Sequence, residues 1–178
     1  MRKPLVLRMK RIAQFFKVSP ERFAKDWAEA FPEMGEKTAE IYQALKLPKR
    51  ATAGSAGYDF FAPAAFSLAP GETVKIPTGI RVSMEDGWVL KCYPRSGLGF
   101  KYRLQFNNTV GIIDSDYFYS DNEGHIFMKL TNDSNEGKTL FVETGTGFAQ
   151  GIFVEYGITV DDDASAVRNG GFGSTTGK

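Results

Sequence analysis

Cysteine and histidine are nearly absent: the 178 residues hold one of each, Cys92 and His125. A single thiol excludes an internal disulfide framework and any cysteine-based zinc cluster, and it fits a reducing compartment. A single imidazole excludes sites built on two or three histidine ligands, and Ser/His/Asp chemistry would have to rest on His125 alone. An excess of charge of one sign is lacking too. Lys plus Arg number 22 against 21 Asp plus Glu, a formal net charge of +1. That balance argues against a protein that coats nucleic acid or an anionic membrane, so any polyanion must be held by a local site. Long apolar runs are also missing. Near the start only residues 5–7 (LVL) and 15–16 (FF) qualify, too short for a signal sequence or a membrane span. The first 17 residues carry six basic and no acidic side chains, yet serine is sparse and no cleavage-like transition follows. A cytoplasmic protein with neither membrane nor nucleic-acid partner is expected.

What is present divides into two regions. Ser19 is suited to cap a helix, with Pro20 at the first helical position and Glu21 behind it. Phe23, Trp27 and Phe31 then recur at i, i+4 and i+8, a stripe down one helix face that predicts core or a docking surface. Pro32 and Gly35 break the run, and a second short helix is expected through Ile41, Tyr42 and Leu45. From Lys46 onward the pattern becomes short strands rich in β-branched and aromatic residues, at 74–76, 79–82, 88–93, 126–130, 139–142 and 152–156. Turns such as 69–72 (APGE) and 85–87 (EDG) punctuate them. Many short strands without long intervening helices predict an all-β sandwich, jelly roll or barrel rather than a parallel βαβ sheet. The run 161–163 (DDD) reads as a solvated turn, and the polar, glycine-rich residues 169–178 read on composition alone as a mobile tail.

Five segments have compositions odd for plain structure. Residues 53–62 (AGSAGYDFFA) place small residues before one carboxylate, Asp59. Residues 94–101 (PRSGLGFK) put a guanidinium, a hydroxyl and two glycines in an expected turn. Residues 108–117 (NTVGIIDSDY) form a hairpin-like apolar strand that delivers Asp114 and Asp116 beside an aromatic. Residues 145–150 read GTGFAQ and residues 168–176 read RNGGFGSTT. Arg95-Ser96-Gly97 and residues 170–175 both have the makings of anion cradles. Glycines let backbone N–H groups approach an oxyanion, while hydroxyls and an Arg fork add donors. No GxxxxGK[ST] loop is present. A Phe flanked by glycines can lie flat on a base, so these segments together point to a nucleotide polyphosphate.

In this order and near these separations, the five segments resemble the five motifs of the trimeric dUTPases (dUTP diphosphatases), over about residues 47–176. PRSG, GIIDSDY and GGFGST in one chain form a specific combination. The resemblance implies an all-β fold, a jelly-roll-like β-clip barrel assembling as a homotrimer with sites between subunits. On that basis residues 1–43 form a short helical N-terminal extension, 44–160 the jelly-roll core, and 161–178 a C-terminal arm that closes over the active site. It further implies Mg²⁺-dependent hydrolysis of dUTP to dUMP and pyrophosphate. Asp114 matches the base that activates water for attack on the α-phosphorus. Tyr117 matches the ring packed against deoxyribose, and Asn108 and Gly111 match the hairpin that pairs with the uracil edge. Arg95, Ser96, Gly97 and Gln150 match phosphate contacts. Arg168, Phe172, Gly173, Ser174 and Thr175 match the arm, with Phe172 over the uracil. Asp59 matches the acid that meets the metal through water, with no direct protein ligand expected and Mg²⁺ carried on the triphosphate.

Several positions depart from the family pattern. Where it continues Asp-Tyr-Arg-Gly-Glu, here Tyr117 is followed by FYSDNEGH, a loop about five residues longer that lacks the arginine and ends at His125. A structural role is expected for that histidine. Gly147 stands where the fourth motif has arginine, and Arg168 lies one residue closer to Phe172 than is usual. Two other readings compete with dUTP hydrolysis. One is dCTP deamination on the related fold; the other is a non-catalytic nucleotide-sensing or partner-binding protein using the extension as its surface. The matched hairpin and PRSG favour the hydrolase over the deaminase, and the full set of catalytic-motif residues argues against a non-catalytic protein.

Overall fold

The computed structural model describes residues 9–168 and 170. In chain order they form β1 (Ala13–Lys17), α1 (Pro20–Ala30), α2 (Thr38–Ala44), β2 (Lys49–Arg50), β3 (Tyr58–Phe61), β4 (Phe66–Leu68), β5 (Thr73–Pro77), β6 (Ile80–Met84) and β7 (Trp88–Pro94). There follow α3 (Ser96–Tyr102), β8 (Leu104–Phe106), β9 (Gly111–Ile113), β10 (Phe127–Asn132), β11 (Leu140–Val142) and β12 (Gly147–Glu155). Two 3-10 segments, Pro32–Lys37 and Ser115–Tyr119, interrupt the strands and helices. The strand pairs are antiparallel and group as β2-β3-β12-β7-β9, β5-β10-β8, β4-β11 and β1-β6. Phe60, Ile76, Leu90, Met128, Leu130, Leu140 and Phe148 meet between these sheets in one buried core. The alternation of buried and open positions along β10 is what one core-facing side requires. The result is the expected all-β, jelly-roll-like arrangement.

The segment ahead of this core has its own small core. Ser19 caps α1, its hydroxyl accepting from the Arg22 N–H at 3.1 Å. Phe23 and Trp27 are buried with Val18 and Leu45, and Phe31 packs on the same cluster. A helix this short does not persist alone in water. Burial of its aromatics, about 2–3 kcal/mol each, holds it on the barrel. Gly79, with φ +73°, permits the close approach. A Cβ there would collide with Leu45 and lie 3.2 Å from the Phe23 ring.

The structure adds the short strands β2, β3, β4 and β8 to those expected and starts β12 at Gly147, and it differs from the sequence reading in two further places. The extension also supplies β1, which adds to β6 in the register Phe15↔Val82 and sets Phe15 against Tyr58, Phe60 and Phe153. Residues 96–102, expected as a turn, instead form the short helix α3. Leu98 and Tyr102 pack toward the core from one side of it, which outweighs the helix cost of Gly97 and Gly99. Among the described residues no helix is long and apolar enough to cross a membrane.

Candidate active site

Strand pairing assembles the first group of polar residues. β12 lies between β3 and β7, so Gln150 stands opposite Asp59 on one side and Tyr93 on the other. Arg95 follows directly after β7. Its Nε lies 3.4 Å from Asp59 Oδ1 and its Nη1 donates to the Gly147 carbonyl at 3.5 Å. Gln150 Nε2 donates to the Pro94 carbonyl at 3.2 Å. At position 147 a Cβ would sit 2.9 Å from Arg95 Nη1, the mobile end of that side chain, so a larger residue there would shift the guanidinium. Arg95, Ser96 and Gly97 are exposed, with open space around Gly97. Backbone, hydroxyl and guanidinium donors thus converge on solvent, as an anion grip requires.

The second group is built on the hairpin between β8 and β9. Phe106 and Thr109 bridge at its tip, with Thr109 at φ +67°. Asn108, Gly111 and Ile113 line a cavity of about 500 Å³ together with Phe106, Cys92 and Asn122. Gly111 is buried, and a Cβ there would approach Cys92 Cβ to 3.1 Å, so a side chain at this position would crowd the neighbouring strand β7. Burial pushes the Cys92 thiol up to about 12, making it a protonated wall of the cavity rather than a nucleophile. β9 then delivers Asp114, whose carbonyl receives the Tyr117 N–H at the start of the 3-10 segment.

The carboxylates of Asp114 and Asp116 are about half exposed, and both are engaged by Arg168. Its Nη2 lies 2.6 Å from Asp114 Oδ2 and its Nε 2.9 Å from Asp116 Oδ1. The same guanidinium sits 5.9 Å above the Tyr117 ring. Tyr117 is 3% exposed, more enclosed than a ring expected to face a sugar. Its hydroxyl donates to the His125 carbonyl at 2.7 Å and accepts from Asn122 Nδ2 at 2.7 Å. Burial, with Asp26 adding to it, raises the phenol's pKa against the opposing effects of the Asn122 hydrogen bond and Arg168.

The two groups do not meet within one chain. Leu90 pairs with Ile113, so Asp114 stands level with Val89 across the β7-β9 pair. From Val89 to Arg95 is six residues along β7, about 20 Å at ~3.3 Å per residue. Phe172, Gly173, Ser174 and Thr175 lie outside the described residues. Among the described residues no three His, Cys, Asp or Glu side chains gather as a metal cage.

Sequence reasoning missed Asp26, Asn122 and Glu123 and gave His125 only a structural role. His125 is fully buried, with Nε2 accepting from the Gly79 N–H at 2.8 Å and Nδ1 2.6 Å from Asp26 Oδ2. The first bond fixes the tautomer, so Nδ1 carries the proton and donates to Asp26. Asn-Glu-Gly at 122–124 was a legible turn signal, but nothing local tied it to α1.

Comparisons with known proteins point to one family. A model of the dUTPase family matches residues 43–176. The deoxyuridine 5'-triphosphate nucleotidohydrolase of Lactococcus lactis is 42% identical over 134 residues, covering 74% of this chain and 88% of that protein. That of Tolumonas auensis is 40% identical over 145 residues, 77% of this chain and 91% of the other. The crystal structure of the dUTPase from Streptococcus mutans superposes with a TM-score of 0.57 at 38% identity, covering 65% of this chain and 89% of its own. The dUTPase of phage phi11 of S. aureus shares the fold alone, at 20% identity and a TM-score of 0.59 over 88% of this chain and 97% of its own. With most of its length matched at this level of identity, the chain belongs to the dUTPase family.

Proposed function

We propose that this protein hydrolyses dUTP to dUMP and pyrophosphate. Asp114 holds a water molecule and draws off its proton as the oxygen attacks the α-phosphorus, and pyrophosphate leaves. Water is a weak nucleophile near neutral pH, and a positioned base contributes typically ~10²–10⁴-fold. The observation that carries the reading is the continuity of β9. Gly111 lines the cavity and, three residues on, Asp114 emerges at the strand end. A base seated against Asn108 and Gly111 therefore brings its phosphate chain toward that carboxylate. Backbone groups of the hairpin pair with the uracil edge. Cytosine, with donors and acceptors reversed, would leave buried groups unpaired. Tyr117 packs against the sugar, where a 2'-hydroxyl would collide.

Arg95, Ser96, Gly97 and Gln150 hold phosphates, and Arg168 with Phe172, Gly173, Ser174 and Thr175 of the arm, residues 161–178, closes over the nucleotide. The ~20 Å between Arg95 and Asp114 in one chain supports a homotrimer whose sites lie between subunits. A reacting phosphorus must be within about 3 Å of both base-held water and donors, and a neighbouring copy can supply the missing half. Asp59 is a single, partly exposed carboxylate beside Gln150. That donor set suits a hydrated Mg²⁺ carried by phosphate oxygens and met through water, rather than a protein cage. Bound there, the ion offsets phosphate charge and steadies the chain in line for attack.

The test is purified protein with Mg²⁺ and dUTP, dTTP, dCTP or UTP, following pyrophosphate and ammonia. Pyrophosphate from dUTP alone is expected, and Asp114→Asn should abolish it while nucleotide binding persists. Ammonia from dCTP, or near-normal turnover in Asp114→Asn, overturns the reading.

A further inference from the structure

Two features outside the family pattern meet in this fold: the segment ahead of residue 43 and the long loop after Tyr117. The family match begins at residue 43, so α1 lies outside it, yet α1 is anchored to that loop twice. Ser19 donates from its backbone N–H and its hydroxyl to the Glu123 carboxylate, at 2.8 and 2.6 Å. Seven residues on, Asp26 accepts from His125 Nδ1, with donor and acceptor both buried. These contacts hold the loop at two points just where it turns back.

The turn itself is strained in their favour. Glu123 and Gly124 both have positive φ, +60° and +69°. Gly124 has no alternative, since a Cβ there would lie 2.7 Å from the Tyr117 carbonyl oxygen. Glu123 does have one. Glycine would adopt the same conformation without the cost that a long side chain bears there. A non-glycine residue kept in this region points to a task for its side chain, and the task visible is to receive Ser19. Burial alone would raise the Glu123 carboxyl's pKa. The Ser19 hydrogen bonds, with Arg81 and Arg22, outweigh it and leave the pKa lowered.

The loop passes this anchoring on to Tyr117. Residues on either side of the Glu123–Gly124 turn hold the phenol: Asn122 donates to its hydroxyl, and the His125 carbonyl accepts from it. Asn122 also lines the cavity beside Gly111. We propose that α1 is a positioning element for the sugar site. In it, Ser19 and Asp26, acting through Glu123 and His125, fix the Tyr117 ring and thereby set the discrimination between deoxyribose and ribose nucleotides. The proposal rests on the reading of Tyr117 as the ring against the sugar. A ring held by its hydroxyl excludes a 2'-oxygen, whereas a ring free to shift accommodates it.

The experiment uses the full chain and compares kcat and KM for dUTP and UTP, with folding followed by circular dichroism. Glu123→Gly cuts the link while giving the turn its least strained residue. Asp26→Ala cuts the second link, and Asp26→Asn retains an acceptor for His125 Nδ1–H. Glu123→Gly and Asp26→Ala should each lower the dUTP-over-UTP ratio of kcat/KM about tenfold, the scale on which close packing discriminates. The change should come mainly through KM, with kcat for dUTP within about twofold of wild type. Asp26→Asn should restore most of the ratio. In a Tyr117→Phe background, which already lacks the anchored hydroxyl, Glu123→Gly should change the ratio no further. Folded variants that keep the wild-type ratio, or an additive loss in the Tyr117→Phe background, overturn the proposal. Should Asp26→Ala not fold, Glu123→Gly decides alone. A wild-type protein that turns over UTP as readily as dUTP would instead sink the assignment of function.

Discussion

Arg168 lays its guanidinium across Asp114 and Asp116, with Nη2 2.6 Å from Asp114 Oδ2 and Nε 2.9 Å from Asp116 Oδ1. The start of the arm is thereby tied to the residue assigned as general base. With Oδ2 occupied in this way, the arm and the base share one electrostatic site.

Both carboxylates are about half exposed, and ion pairs of that kind add little to stability. Arg168→Ala should therefore leave the unfolding temperature unchanged within error. Turnover should behave differently if, as proposed, Arg168 acts with the assigned base, which it engages through two charge-assisted hydrogen bonds shared with Asp116. A loss of about tenfold or more in kcat/KM for dUTP is expected by steady-state kinetics. Arg168→Lys should recover little of it, since an ammonium cannot bridge two carboxylates in a planar fork. Full activity in Arg168→Ala would show that the contact is incidental to closure.

The separation of Asp114 from Arg95 leads to a complementation test. Asp114→Asn and Arg95→Ala should each be inactive alone. Sites that take the base from one subunit and the phosphate grip from another are repaired by mixing. Random assembly of the two variants at equal amounts leaves about one quarter of the sites with both native residues. Unfolding and refolding the two together should restore about that fraction of wild-type turnover. Mixtures as inactive as their components would place both residues in one subunit's site and contradict the intersubunit arrangement.

The extent to which the fold was legible follows from how local its causes are. The Ser19-Pro20 start of α1 and its Phe23 and Trp27 stripe were readable because capping and helical period act within a few residues. β5, β6, β7, β10, β11 and the end of β12 were readable because β-branched runs and turn residues alternate along the chain, whereas the short β2, β3, β4 and β8 carry too few residues to show a period. β1 was not, because its five residues are ordered by β6, more than sixty residues later. Nor was α3, where two glycines masked a helix held by the packing of Leu98 and Tyr102. The candidate site shows the same division. Motif order drew attention to Asp59, Arg95, Asp114 and Gln150 one at a time. Only strand register shows that Asp59, Arg95 and Gln150 gather at one end of β7 while Asp114 stands near the other. Asp26 and His125 are 99 residues apart, and no sequence period connects them.

The Asp26–His125 pair also makes stability depend on pH. Burial, reinforced by Arg22, lowers the His125 pKa below its ordinary 6.5, against the opposing pull of Asp26 and Glu123. Protonation would also turn Nε2, which accepts the Gly79 N–H, into a donor facing a donor. From about one pH unit above 6.5 the histidine is neutral in both folded and unfolded chains and contributes no slope. As pH falls below 6.5 the unfolded chain takes up a proton that the folded chain refuses, so stability declines, by at most about 1.4 kcal/mol per pH unit. Glu123, whose pKa is lowered, acts the same way in a separate window, its contribution being lost as pH falls below its ordinary 4.5. The unfolding temperature, measured at one protein concentration, should be level above about pH 7.5 and fall about 3–5 °C per unit below 6.5. His125→Gln should flatten the upper part of that decline while leaving the part below pH 4.5. A decline of equal slope in His125→Gln would assign it to groups other than the Asp26–His125 pair.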